Sequence, residues 1–122
     1  MNHPPAVTNA SKDTYQVYAL KRAWSEQAAT WRLYASGSTW EVAGAKGSND
    51  RGAQVGSVVA PKTGKQTSTI PASVVQGWLD NPATNNGIII ANLTNIDGFD
   101  FSSRESATAA NRPQLNVTYT AP

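Results

Sequence analysis

Hydrophobic and polar residues alternate along several short stretches of this chain, a period of two that is typical of β-strands with one buried face. From Thr14 to Leu20, the residues Tyr15, Val17 and Ala19 lie on one face and the intervening residues on the other. This pattern predicts a strand over residues 14–20. Further strands are predicted around Val55–Val59 and from Gln66 to Ile70, although their alternation is less regular.

Three more strands are predicted in the last third of the chain. Asn86-Gly87 supplies a turn with positive φ, and the apolar run Ile88 to Ala91 that follows predicts a strand buried on both faces. Phe99 and Phe101 alternate with polar residues. Leu115 to Tyr119 then alternates Leu, Val and Tyr with Asn and Thr, which predicts a half-buried final strand.

Two segments depart from the strand pattern. Residues 32–56 are rich in Gly, Ser, Ala and Asn, which predicts a long loop, pinned by the aromatic anchor Trp40. Pro71 can occupy a first helical position and is followed by apolar residues at helical spacing, before Asp80-Asn81-Pro82 ends the pattern. This predicts a helix of two or three turns with one apolar stripe, formed by Val74, Val75, Trp78 and Leu79.

The composition favours a single domain of strands and loops. The chain has 122 residues, of which only 15% are charged, with nine Gly and seven Pro and no Cys. That length supports one hydrophobic core, and the lack of Cys excludes disulfides and thiolate chemistry. We predict an all-β module over residues 14–120, preceded by an irregular lead over residues 1–13. The polar, Cys-free composition leans towards an extracellular protein.

The chemistry of an enzyme is missing from the sequence. The only histidine is His3, in the predicted irregular lead, so a Ser-His-Asp triad has no base. No apolar run is long enough to cross a membrane. The net charge is +2 and the basic residues are scattered, which argues against a nucleic-acid-binding arm and mildly favours an anionic partner.

Asn95, Asp97 and Asp100 form a cluster of oxygen-bearing side chains that has two interpretations. They offer the hard oxygen ligands that calcium prefers, so a structural calcium ion is one expectation. Asn and Asp also form turns, which explains the cluster equally well. No other cofactor is predicted.

The four Trp residues also have two interpretations. An exposed indole can stack on a sugar ring, whereas a buried one anchors packing. Trp78 lies on the predicted helical stripe, and the other three recur among small residues, so we predict core positions for at least three of the four. Arg104 is predicted to form an ion pair with its neighbour Glu105.

Several short motifs, taken in order, resemble the DNRLRE, or disaggregatase-related, domain family, part of which is grouped as carbohydrate-binding module family 96. The motifs are Ala23-Trp24-Ser25-Glu26, Ala29-Thr30-Trp31, Thr39-Trp40, Val75-Gln76-Gly77-Trp78, Asn85-Asn86-Gly87-Ile88, Ser102-Ser103-Arg104-Glu105 and Arg112-Pro113-Gln114-Leu115-Asn116-Val117-Thr118-Tyr119.

The resemblance implies a jelly-roll-like β-sandwich, with one short helix, in a secreted or surface protein of bacteria or archaea. It also implies a non-catalytic module that binds polysaccharide, alginate being the first expectation. Family members begin with further strands that have no counterpart before Thr14. We therefore expect a domain that is completed by a complementary strand-donating chain or by self-association.

The resemblance assigns the Trp residues to the framework, so ligand residues are sought among exposed basic and aromatic groups. Guanidinium and ammonium groups pair well with the carboxylates or sulfates of anionic polysaccharides. The candidates are Arg22, Arg32, Tyr34, Lys46, Arg51, Lys62 and Lys65. The alternative function is a structural or adhesin domain that binds no glycan and is held in place by strand pairing.

Overall fold

The computed structural model describes residues 6–9, 13–59, 63–92 and 100–121. These residues form mostly short strands, together with one α-helix and two single-turn 3-10 helices. The prediction of a β-rich fold with one short helix is confirmed, and the jelly-roll sandwich stays a prediction. The elements are β1 (Ala6–Asn9), β2 (Thr14–Leu20), β3 (Leu33–Ala35), β4 (Ser38–Thr39), β5 (Arg51–Val59), β6 (Gly64–Lys65), α1 (Ala72–Asp80), β7 (Ile88–Ala91) and β8 (Asp100–Phe101), with 3-10 turns at Pro82–Thr84 and Ala109–Asn111.

The strands form three small sheets, with orders β6-β1-β8, β5-β2-β7 and β3-β4. In the first sheet β1 pairs antiparallel with both neighbours, Val7 lying opposite Gly64 on one side and Phe101 on the other. Strand β1 lies within the lead that the sequence predicted to be irregular. That prediction is wrong for Ala6–Asn9, because pairing with β6 and β8 fixes a backbone that has little local strand signal.

The chain divides into two compact units. The first contains Met1–Gln16, Gly56–Thr69 and Ala91–Pro122, and the second contains Val17–Val55 and Ile70–Ile90. Strand β2 has the bounds that the alternation predicts, and Tyr15, Val17 and Leu20 are buried along it.

The core of the second unit forms around Trp40. Leu20, Trp40 and Ala45 are buried together, and Tyr34 and Ile89 pack against them. The Trp40 indole Nε1 donates a hydrogen bond of 3.0 Å to the Thr30 carbonyl oxygen, and its ring lies 5.6 Å from that of Tyr34. The prediction that Trp40 is an anchor is confirmed. The prediction of a continuous loop over residues 32–56 is wrong, because this segment contains the β3–β4 hairpin, which turns at Gly37 with φ of +71°, and the first six residues of β5.

Helix α1 and strand β7 lie where the sequence predicts them, but their residues are less buried than predicted. Helix α1 begins directly after Pro71, and its end is closed by a 3.0 Å hydrogen bond from the Asn81 N–H to the Gly77 carbonyl oxygen. None of its residues is buried, and Leu79 is exposed. Gly87 has the predicted positive φ, +82°. Strand β7 follows it, but the predicted burial on both faces is wrong, because Ile88 is 37% exposed and the other three residues of β7 are only half-buried.

Two predicted strands are wrong. Beyond β6, residues 66–70 form no strand. Residues 115–121 also form no strand, and Leu115, Val117 and Tyr119 are 51%, 46% and 81% exposed. Alternation gives a segment the capacity to pair, but a strand also needs a regular ladder of main-chain hydrogen bonds with a neighbouring strand. Residues 66–70 lie beside β5, where Ser68 Oγ donates to the Ser57 carbonyl oxygen at 2.6 Å, without being part of a strand. Phe101 lies in the two-residue β8 and is exposed, while Phe99 lies outside the described residues.

Candidate ligand-binding site

Residues 41–50 form a series of turns held by one buried carboxylate. Asp50 has no exposed surface, and it is the one buried charged residue in the described ranges. Its Oδ1 accepts the Glu41 N–H at 2.9 Å, and its Oδ2 accepts the N–H groups of Val42 and Gly47, each at 3.0 Å. We call residues 41–50 the Asp50 loop. Because the carboxylate binds main-chain donors at both ends of the loop, it fixes the course of the backbone between them.

Arg22 compensates the charge of Asp50. Its Nε lies 3.3 Å from Asp50 Oδ1, and its guanidinium lies 4.7 Å from the centre of the Tyr34 ring. Burial is the largest single influence on the pKa of Asp50 and would raise it, but the three N–H donors and the Arg22 charge together outweigh burial. The pKa of Asp50 is therefore lower than usual, and the group is a carboxylate at neutral pH.

The side chains of the loop add a second, exposed layer of hydrogen bonds. Glu41 accepts hydrogen bonds from Asn49 Nδ2 and, at 3.3 Å, from Ser48 Oγ. The bond from the Asn49 side chain is the main cause of a lowered pKa at Glu41. Lys21 Nζ donates to the Ser48 carbonyl oxygen at 2.8 Å. A Cβ at Gly47 would lie 2.6 Å from Glu41 Cβ, so only glycine fits at that position.

Trp31 lies on the Asp50 loop with much of its indole in solvent. It is 57% exposed, and a Cβ on Gly44 would lie only 2.5 Å from the Cη2 atom of its ring. Gly44 has φ of +83°, and its N–H donates to the Trp31 carbonyl oxygen at 2.6 Å. Lys46 lies over the same indole, its Nζ 5.5 Å from the ring centroid. The loop therefore brings an exposed aromatic surface and an exposed ammonium group together.

The positions of the Trp residues correct the sequence-based prediction. Trp40 is buried and Trp78 is half-buried, but Trp24 and Trp31 are 42% and 57% exposed. Trp24 is held by its Nε1, which donates to the Asn86 carbonyl oxygen at 2.7 Å, next to Gly87. Both exposed rings lie against the backbone of a glycine with positive φ, Gly44 for Trp31 and Gly87 for Trp24. No local sequence signal marks such a contact.

Two further cation–aromatic pairs occur among the residues that the sequence singled out. Tyr34 is half-buried between Arg22 and Trp40, so it packs rather than offering an open ring. The Arg51 guanidinium lies 3.9 Å from the centre of the Tyr18 ring, and its Nη1 is buried without a hydrogen-bond partner.

The structure shows no cation–aromatic pair for the other described candidates, Arg32 and Lys65. Arg32 is exposed, and Lys65 is exposed on β6 of the first unit. Lys62 lies outside the described residues. Among the candidates that the structure describes, Lys46 is the one that forms a cation–aromatic contact with an exposed ring.

The predicted calcium ligands are only partly described. Asp100 is exposed in β8, whereas Asn95 and Asp97 lie outside the described residues. Within the described ranges no group of three or more His, Cys, Asp or Glu side chains could hold a metal ion. The predicted ion pair of Arg104 with Glu105 is confirmed, with a distance of 3.1 Å between its charged atoms. None of the described helices has the length and apolar character needed to span a membrane.

No protein-family model matches the chain, and no curated protein or solved structure matches it either. Functional inference therefore depends on the site itself and on the sequence resemblance.

Proposed function

We propose that this protein is a non-catalytic module that binds an extracellular, anionic polysaccharide through Trp31 and Lys46. The observation that carries the proposal is the exposed Trp31 indole with the Lys46 ammonium group 5.5 Å from its centre. An aromatic face binds the apolar C–H face of a sugar ring, and an ammonium group binds the carboxylate or sulfate that the same sugar carries. The pair therefore matches two features of an acidic sugar, the C–H face that it shares with neutral sugars and the negative charge that distinguishes it from them.

The rigidity of the Asp50 loop supports this function. Binding costs free energy when side chains and loops must be ordered, about 0.5–1.5 kcal/mol for each immobilised flexible side chain. Here the Trp31 ring lies against Gly44, and the backbone on both sides of Lys46 is fixed by Asp50. Only the Lys46 side chain remains to be ordered by a ligand.

The net charge and the resemblance favour the same class of ligand. A charge of +2 and a pI near 9.1 favour an anionic polymer over a cationic one. The motifs resemble those of disaggregatase-related domains, for which polysaccharide binding outside the cell, without catalysis, is the expected role. Alginate is therefore the first polymer to test.

Affinity electrophoresis through gels containing alginate, pectin, a sulfated galactan or a neutral glucan tests the proposal. We expect at least one anionic polymer to retard the protein, the glucan to have no effect, and added salt to weaken the retardation. Trp31→Ala and Lys46→Ala should each reduce it.

Two matched controls accompany these variants. Leu79→Ala removes an exposed apolar side chain from α1, and Lys65→Ala removes an exposed cation from β6. Neither residue belongs to the Asp50 loop, and both variants should be retarded like the wild type. Retardation that depends on Lys65 and not on Lys46 would move the ligand to the first unit. A folded wild-type protein that no polymer retards would contradict the proposed function.

A second candidate function is a structural or adhesin domain without a glycan ligand. The observation that favours it is the exposure of Leu115, Val117 and Tyr119 in a segment with strand-like alternation. Such a domain would be held in place by strand pairing, and it would bind none of the four polymers.

A further inference from the structure

Trp24 presents a second exposed indole, which the proposed site does not use. The ring is 42% exposed, and its Nε1 donates to the Asn86 carbonyl oxygen at 2.7 Å. A Cβ on Gly87 would lie 3.6 Å from the same nitrogen and 3.9 Å from the neighbouring Cζ2, so this edge of the ring packs on the backbone. Because the hydrogen bond and the contact act on one edge of the indole, they fix its position and leave much of its surface in solvent.

The side-chain amide of Asn85 is fixed at the same place. Its Oδ1 accepts the Gly87 N–H at 3.2 Å. Asn85 is exposed, and its Nδ2 donates no hydrogen bond within the described ranges. The NH₂ group of an amide is a donor that suits a hydroxyl oxygen. An exposed aromatic ring and an available amide donor are therefore both tied to Gly87 and its neighbour.

The backbone that carries these groups is ordered before a ligand arrives. The Asn85 N–H donates to the Pro82 carbonyl oxygen at 3.1 Å, which closes the turn before the site. The Gly87 carbonyl oxygen accepts the Leu20 N–H at 2.9 Å, which joins the end of the turn to β2. A ligand therefore has little of the site left to order, which lowers the free-energy cost of binding.

We propose that Trp24 and Asn85 form a second sugar subsite, which takes the C–H face and a hydroxyl group of a sugar unit regardless of its charge. This inference rests on the proposed function, because the sugar unit belongs to the polysaccharide that Trp31 and Lys46 bind. The indole packs against the C–H groups, and the amide donates to the hydroxyl oxygen. Neither group is charged, so this subsite does not select for a carboxylate or a sulfate as Lys46 does.

The two subsites are close enough for one polysaccharide chain. Both lie in the second compact unit. Trp24 and Trp31 are seven positions apart, so their Cα atoms are separated by about 25 Å at most, the length of that segment when fully extended. The true separation is shorter, because the N–H groups of Ala28 and Ala29 both donate to the Ser25 carbonyl oxygen and turn the chain between the two rings. A chain of several sugar units spans such a distance.

Affinity electrophoresis at low and high salt tests the second subsite. In gels containing the polymer that retards the wild type, Trp24→Ala and Asn85→Ala should each weaken the apparent affinity about threefold to tenfold, the effect of one aromatic contact or one hydrogen bond. The loss should be the same at both salt concentrations because the subsite is uncharged, whereas the effect of Lys46→Ala should fade as salt is added. Gln76→Ala removes an exposed amide from α1 and is the matched control for Asn85→Ala. Circular dichroism establishes that each variant is folded.

Oxidation by N-bromosuccinimide separates a binding role of Trp24 from a purely structural one. The reagent attacks accessible indoles, and peptide mass spectrometry measures the oxidation of each Trp in the unmutated protein. The same polymer should protect Trp24 as well as Trp31, while the half-buried Trp78 should react equally with and without polymer. A Trp24 that only holds the Asn86 carbonyl oxygen would gain no protection.

The outcomes distinguish this inference from the proposed function. Retardation that depends on Trp31 and Lys46, with Trp24 unprotected and Asn85→Ala like the wild type, would overturn the second subsite alone. An effect of Trp24→Ala that disappears at high salt would also overturn it, because the contact would then be electrostatic. Retardation by none of the four polymers would instead contradict the proposed function, and the second subsite with it.

Discussion

Replacing Asp50 by Asn changes one atom in the most buried charged group of the described chain. The carboxylate receives four donors, namely the N–H groups of Glu41, Val42 and Gly47 and the Arg22 Nε at 3.3 Å. Each oxygen of Asp50 accepts two of these donors. An Asn side chain keeps the shape but replaces one accepting oxygen with an NH₂ group, which cannot accept. Whichever way the amide points, two donors lose their acceptor.

The cost follows from those two donors. Leaving a buried donor without its acceptor costs about 1–3 kcal/mol, so two donors cost about 2–6 kcal/mol. Breaking a buried ion pair by neutralising one partner costs about 3–5 kcal/mol, which agrees with that range. The Arg22 side chain is partly exposed and can regain water, which places the expected loss near the lower end. We expect Asp50→Asn to lower the free energy of unfolding by about 3 kcal/mol.

Urea denaturation measures the loss, and amide hydrogen exchange locates it. The midpoint should fall while the slope of the transition is unchanged. Exchange at the amides of Glu41, Val42 and Gly47 should accelerate about a hundredfold, since each factor of ten corresponds to about 1.4 kcal/mol. Asp100→Asn is the matched control, because that carboxylate is exposed in β8 and its replacement should change stability by less than about 0.5 kcal/mol. If Asp50→Asn were as harmless as Asp100→Asn, the role assigned to Asp50 would be wrong.

Two further predictions concern the same loop. The pKa of Asp50 is lower in the folded protein than the unfolded value of about 3.9, so its contribution to stability is present above that value and is lost as the pH falls through the folded pKa. The stability difference between wild type and Asp50→Asn should therefore shrink in acid titrations monitored by circular dichroism. A constant difference would contradict this. Gly44→Ala should reduce alginate retardation because its Cβ would displace the Trp31 ring, in addition to straining a backbone with φ of +83°. Gly37→Ala has φ of +71° and nothing within 4 Å of its Cβ, so it should cost about 1–2 kcal/mol of backbone strain alone and leave retardation unchanged. Equal retardation of both variants would show that the ring position does not matter.

Local patterns in the sequence identified the elements that local interactions determine. The alternation over Thr14–Leu20 gave β2 with its observed bounds, and Pro71 with the Asp80-Asn81-Pro82 stop gave α1 to within a residue. In both cases the residues that define the element are neighbours in sequence. The positive φ of Gly87 was predictable for the same reason.

The elements that were predicted wrongly depend on distant partners. Strand β1 has little signal of its own and is fixed by β6 and β8, which are remote in sequence. Leu115 to Tyr119 shows the opposite case, a strong local pattern that forms no strand.

The candidate site was only half visible in the sequence. Lys46 was a candidate by charge, whereas Trp31 was assigned to the core. The sequence does not show that the Trp31 ring is exposed, because its position depends on Gly44, which is thirteen positions away and lies against the ring. The sequence also gave no indication that Asp50 is buried. An Asp after Asn in a Gly- and Ser-rich stretch is typical of an exposed turn, and its burial becomes clear only when the backbone of residues 41–47 closes around it.

The hydrogen bonds of Asp50 also determine which positions of its loop can change. The carboxylate contacts main-chain amides, which every non-proline residue possesses, so the frame does not depend on the side chains at the positions it binds. Val42 and Lys46 are exposed and contribute no side-chain atom to that frame. Substitutions at these two positions could accumulate under selection, or be randomised in a library, while Gly44, Gly47 and Asp50 preserve the backbone. The loop thus keeps its backbone while its exposed side chains are free to change, so under the proposed function its binding preference can diverge without loss of fold.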